Sequence, residues 1–221
     1  MKHPGRKQPA SINQQSMKIN TNSWNRIRYT LYAPGYDSIA RVFEESRRRS
    51  IDSLGVKKGD SILIVGAGTG LDLEFLPGNC DITATDLTPS MVDRIKKRSL
   101  DLKLPVKILV MDGQKLDFGN ESFDKVILHL ILAVLPDPYA CINEAARVMK
   151  QGGTMVIFDK FVPRGRKISL RRRMVNIFAN LLASDITRDL ESILQNSGLT
   201  VISDVGADWK GNFRLIKLFK P

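Results

Sequence analysis

The run Ser61-Ile-Leu-Ile-Val65 passes directly into Gly66-Ala-Gly-Thr-Gly70. A short apolar, β-branched stretch of this kind is a buried strand. Three alternating glycines after it let the backbone turn sharply, and let a ligand lie against the main chain where any Cβ would clash. The combination predicts the first strand of an open α/β sheet ending in a ligand-binding turn. A dinucleotide fingerprint needs G-x-G-x-x-G, but here the third position is Leu71 and the glycine arrives one residue early. The turn alone does not decide between a nicotinamide cofactor and another nucleoside ligand.

Downstream, the pattern alternates. It predicts strand 61–65, helix 70–76, strand 81–85, helix 89–101, strands 106–110 and 123–129, helix 138–150 and strand 153–159, with Gly152-Gly153 as the turn into the last. Thr88 reads as the N-cap of the helix that begins with Pro89. Right-handed crossovers make such a series a parallel sheet with helices on both faces. Two more runs, 199–205 and 213–219, flank Gly211-Asn212 and predict an antiparallel hairpin added to it, seven strands in all.

On either side of this series the sequence changes character. Residues 1–23 are polar and basic and read as a disordered tail. Residues 24–58 read as entrance helices, one opening at Asp37 and closing at Gly55, its outer face carrying Arg47, Arg48 and Arg49. In 160–184 an apolar stripe (Leu170, Met174, Ile177, Phe178, Leu181, Leu182) accompanies Arg171, Arg172 and Arg173. A helix from Asp185 to Asn196 follows.

A chain of 221 residues, 43% hydrophobic, holds one sizeable core, so 24–221 reads as a single domain. Its 34 Lys and Arg against 23 Asp and Glu favour anionic partners. Cys80 and Cys141 have no metal-ligand spacing, and no apolar run approaches the about 20 residues that cross a bilayer. The expectation is a reduced, cytoplasmic setting with at most peripheral contact with the inner face of the membrane.

A nucleoside at the glycine turn needs an acceptor for its ribose hydroxyls at the end of the next strand, where Asp86 stands. With Thr88 as cap, its carboxylate is free to accept both. Asp112, just past the third strand, is placed to accept from an adenine amino group.

The runs Phe123-Asp-Lys-Val126 through Leu135-Pro-Asp-Pro138, and Glu144-Ala-Ala-Arg147-Val through Gly153, resemble the signature of class I S-adenosylmethionine (SAM) methyltransferases related to the ubiquinone and menaquinone enzymes. The similarity spans about residues 29–160 and implies a Rossmann-like methyltransferase fold that uses SAM and releases S-adenosylhomocysteine. It implies that Gly66, Ala67, Gly68 and Gly70 line the methionine moiety and Asp86 holds the ribose. Leu87 and Met91 would flank the adenine, with Asp112, Gly113 and Gln114 at its edge. Tyr32 and Tyr36 match an entrance segment over the cofactor, and His129 falls beside the sulfonium. The chain departs from the family at Ile64, where an acid commonly holds the cofactor's amino end.

Methyl transfer from a sulfonium is an in-line displacement that depends on holding donor and nucleophile aligned, and it needs no metal. His129 is a candidate base, or a contact of the cofactor alone; Tyr36 is the second candidate catalytic residue. Asp159 and Lys160 are alternatives. Tyr36-Asp37, Phe43, Ser46-Arg47-Arg48 and Ala133-Val-Leu-Pro136 also resemble small bacterial phospholipid N-methyltransferases, and the histidine pair of many quinone enzymes is absent at Ala133-Val134. The expected acceptor is therefore a small or lipidic molecule, with the amine of a phospholipid or aminolipid headgroup favoured over C- or O-methylation of a quinone-like metabolite. Arg171, Arg172 and Arg173 would meet an anionic membrane surface. A non-catalytic SAM binder is a further reading because of Ile64. A nucleic-acid binder is disfavoured: aromatic residues make up only 7%, and no base-reading module or N-P-P-[YF] signature is present.

Overall fold

The computed structural model describes residues 21–23, 25–27, 43–161, 188–207 and 213–221. Its seven strands are β1 (Ser61–Val65), β2 (Asp81–Asp86), β3 (Val106–Val110), β4 (Phe123–His129), β5 (Met149–Lys160), β6 (Thr200–Gly206) and β7 (Phe213–Phe219). They form one sheet in the order β3-β2-β1-β4-β5-β7-β6. β7 alone runs against its neighbours, β5 on one side and β6 on the other.

Successive side chains of a strand point to opposite faces, and β1 uses both. Ile62 and Ile64 pack with Ile51 and Leu54 of α1 (Glu44–Leu54) and with Ile95 of α2 (Pro89–Asp101). Leu63 and Val65 pack with Cys141, Ile142 and Ala145 of α3 (Pro138–Val148), in the cluster that includes Leu190 and Ile193 of α4 (Leu190–Leu194). All four strand residues are at most 1% exposed. Each such aliphatic side chain contributes about 1.5–3 kcal/mol through burial, which is why this run can be continuous in apolar residues. β2 and β4 flank β1 on opposite sides, so the strand order reverses there. Ligands of open α/β sheets bind at such a reversal, outside the carboxyl ends of the strands.

Helix 89–101 and all seven strands are present. Four local expectations change. The segment after the glycine turn is a 3-10 helix, Leu71–Phe75, not an α-helix; Gly70 in the left-handed region before it and Pro77 after it leave too few residues for an α-helix. The helix expected to reach residue 150 ends at Val148, and β5 starts at Met149, paired with Phe123. Gly152-Gly153 therefore lies inside the strand, its first glycine at φ 74° absorbing the irregularity. The last helix is reduced to Leu190–Leu194, where Asp189 Oδ2 accepts from Ser192 N at 3.1 Å as its cap. Asn22 and Ser23, placed in the tail by composition, are helical. Asp37, Asp185, the stripe with Arg171, Arg172 and Arg173, and the Gly211-Asn212 turn lie outside the described residues.

The Glu144–Arg147 pair of the signature is structural. Glu144 Oε2 accepts from Leu116 N at 2.8 Å, while Arg147 donates to Leu116 O and Phe118 O at 2.9 and 2.8 Å. Together they tie the loop before β4 to α3.

Candidate cofactor site

A cleft of about 770 Å³, counting space shared with solvent, opens at the β1/β4 reversal, within the range of small-molecule and cofactor sites. The glycine turn forms its floor. Gly66 has φ 66°, and a Cβ built on it would fall inside the Ile131 side chain. Gly113 faces the same wall, where a Cβ would stand 2.7 Å from Val65 Cγ1.

Asp86, at the end of β2, is not the free carboxylate expected from the sequence. Its Oδ2 accepts from Gly68 N at 2.9 Å and its Oδ1 from Thr88 N at 2.8 Å, and Thr88 makes no side-chain cap bond to α2. Asp86 thus stitches the glycine turn to the start of α2. Burial pushes its pKa up, opposed by the Thr88 and Gly68 bonds. A carboxylate has about four lone-pair sites, so two amides leave it capacity for a diol.

Of the other anticipated contacts, Ala67, Leu87, Met91, Gly113 and His129 line the cleft with Gly66, Gly68 and Asp86. Gly70 instead packs over Ile95. Asp112 and Gln114 stand behind the lining. Asp112 accepts from Asn22 Nδ2 at 2.6 Å and from Gln114 N at 2.9 Å, and Gln114 Oε1 accepts from Asp137 N at 2.8 Å. Tyr32 and Tyr36 lie outside the described residues. Asn25, 5% exposed, reaches the cleft and donates to Val134 O at 2.9 Å; nothing in its sequence surroundings marks it.

A second group of polar side chains closes the β4 end. Arg47, expected on the outer face of its helix, is 5% exposed and lines the cleft. Its Nη1 donates to Asp72 Oδ1 at 2.7 Å, and the same oxygen lies 2.8 Å from His129 Nδ1. His129 Nε2 lies 2.9 Å from Ser50 Oγ. Burial raises the Asp72 pKa, but Arg47 and His129 outweigh it and hold the carboxyl well below the usual range. An ionised carboxylate only accepts, so the network assigns the proton to His129 Nδ1, and in the neutral ring Nε2 accepts from the Ser50 hydroxyl. The signal for Arg47 was present: Arg47, Ile51 and Leu54 are spaced i, i+4, i+7, a single helix face.

The loop after β4 carries the remaining wall. Leu130 has φ 58°, an uncommon state for a branched side chain, and donates its N–H to Phe158 O at 2.7 Å. Asp159, 1% exposed, accepts from Ala133 N at 3.2 Å and from Lys160 N at 2.7 Å. Burial pushes its pKa up to about 6 against those bonds.

Bare backbone at the turn, a carboxylate at β2 for a ribose and a cation at the β4 end fit a nucleoside that carries an amino-acid tail. Comparison with known proteins agrees. A methyltransferase domain family matches residues 63–157. A phosphatidylethanolamine N-methyltransferase of Cereibacter sphaeroides is 30% identical over 203 residues, 91% of this chain and 98% of that one. A demethylmenaquinone methyltransferase of Paenarthrobacter aurescens is 28% identical over 73% of this chain, which spans 60% of that protein. Among solved structures, geranyl diphosphate C-methyltransferase from Streptomyces coelicolor superposes with a TM-score of 0.67 at 16% identity, covering 82% of this chain and 81% of the other.

Proposed function

Since the chain belongs to the class I SAM-dependent methyltransferases, we propose that it methylates the amine of a phospholipid or aminolipid headgroup. The observation that carries the acceptor class is the end-to-end match to the phosphatidylethanolamine N-methyltransferase of Cereibacter sphaeroides, 98% of whose length is covered. The quinone-type relative is matched over a smaller part of its length.

SAM, when bound, supplies an electrophilic methyl group on sulfur. The chain's part is to position and to exclude water. Asp86 accepts the ribose hydroxyls while keeping the glycine turn in place through Gly68 N. Met91 and Leu87 supply apolar contact for the base, with Gly113 at its edge; Asp112, behind the lining, fixes that edge through its bond from Gln114 N. His129 acts from the end of β4 with both ring nitrogens held, and it shapes the donor end of the cleft. Among the described residues no helix is long and apolar enough to cross a membrane. We assign access to a lipid acceptor to Arg171, Arg172 and Arg173, whose charge suits an anionic membrane surface.

The test is transfer of labelled methyl from SAM into fractionated host extract. Label in lipid, with headgroup analysis showing an N-methylated amine, is the expected result. Label in quinones moves the assignment to C- or O-methylation. Label confined to aqueous metabolites, protein or RNA removes the lipid reading.

A further inference from the structure

We propose that Arg47 is the anchor of the cofactor's α-carboxylate, which makes α1 a wall of the cofactor site as well as an entrance element. The inference rests on the SAM reading above.

Three observations lead to it. Among the described residues, Arg47 is the one Lys or Arg that lines the cleft, although the chain carries 34 such residues. A guanidinium that is 5% exposed is costly to keep charged unless anions meet it. The sheet fixes which end of the ligand it faces. With Gly113 near β3, Asp86 on β2, the glycine turn on β1 and His129 on β4, base, ribose and amino acid follow one another across the strand order. Arg47 is tied through Asp72 to His129, and so stands at the amino-acid end.

The chemistry matches at that end. Guanidinium presents five N–H donors in a planar fork suited to carboxylates, so one Arg can serve both Asp72 and a second carboxylate. Asp72 keeps the fork oriented, and His129 with Ser50 keeps Asp72 oriented. Ionised Asp72 also offsets the charge of Arg47 when the ligand is a zwitterion with a sulfonium. The arrangement accounts for Ile64, 1% exposed: the tail is gripped by its carboxylate from α1, not by its ammonium from the end of β1.

The experiment compares S-adenosylhomocysteine with 5′-methylthioadenosine, a nucleoside thioether that lacks the amino-acid tail, by calorimetric titration of the full chain. Charge-assisted hydrogen bonds of this kind correspond to about 10- to 100-fold in affinity. Arg47→Lys keeps a cation beside Asp72 but loses the fork. It should weaken S-adenosylhomocysteine by about tenfold or more and leave methylthioadenosine unchanged, a result that also shows the variant's cleft to be folded. Equal loss for both ligands, or unchanged S-adenosylhomocysteine affinity, overturns the assignment. The wild type supplies an independent check, since it should bind the α-carboxyl methyl ester of S-adenosylhomocysteine at least about tenfold more weakly than the acid. Equal affinity for acid and ester overturns the proposal whatever the variant does. A wild type that binds none of these nucleosides overturns the SAM reading with it.

Discussion

Ser50 Oγ lies 2.9 Å from His129 Nε2, on the opposite side of the ring from the 2.8 Å contact between Nδ1 and Asp72 Oδ1. The imidazole is therefore fastened to two elements at once, α1 and the 3-10 helix, from its own place at the end of β4. His129→Ala should lower stability by about 3 kcal/mol, since it removes a buried ring and leaves both partners short of a bond. It should weaken SAM affinity in parallel with turnover. Ser50→Ala should cost about 1 kcal/mol and leave SAM affinity near wild type. Denaturant unfolding and calorimetry read both. A large loss of turnover with stability and affinity intact would contradict the fastening role.

Asp86→Asn replaces an acceptor that holds Gly68 N and Thr88 N with a group that has one acceptor oxygen. SAM affinity should fall by about 10- to 100-fold. Amide exchange at the glycine turn should quicken in the same variant. Unchanged SAM binding would remove the ribose assignment.

Gly66→Ala meets two penalties, a left-handed φ of 66° and the Ile131 side chain. The first costs about 1–2 kcal/mol and the second adds to it. Combining Gly66→Ala with Ile131→Ala should recover the steric part and leave the backbone part. A double-mutant cycle with no coupling between 66 and 131 would rule out the close approach seen here.

Asp159 makes a pH-dependent contribution whose sign follows from its raised pKa. The folded protein holds this proton more tightly than the unfolded chain, so between about pH 4 and the folded value of about 6 the native state binds more protons. Its contribution to stability therefore falls as pH rises through that window and is constant above it. Asp159→Asn should flatten the stability profile between pH 4 and 6. It should also loosen the loop at Leu132 and Ala133, because an amide nitrogen cannot accept from those N–H groups. Unfolding midpoints across pH test the first expectation and amide exchange the second.

What could be read in the sequence is what depends on neighbours along the chain. Strand β1, its glycine turn, Pro89 opening α2 and the paired strands near the carboxyl end are local patterns, and so is the order of the signature residues. The polar network at the β4 end is not local. The pairs Arg47–Asp72, Asp72–His129 and His129–Ser50 span separations of 25, 57 and 79 residues, and only the packed sheet brings them together. Asp86 illustrates the same limit. Its position at the end of β2 was legible, but Gly68 N, 18 residues away, claims one oxygen in a way that no spacing displays. Leu130 carries no sequence signal, because its left-handed backbone state belongs to the turn after β4 and not to its residue type.

The place of β7 between β5 and β6 has a consequence for biosynthesis. Strand β5 ends at Lys160 and its partner begins at Phe213, so β5 waits beside a vacant edge until Phe213–Phe219 has followed it. An open edge next to buried apolar strands is a template for pairing with another chain. A chain cut short before β7 should therefore need chaperone protection that a chain released with β7 does not.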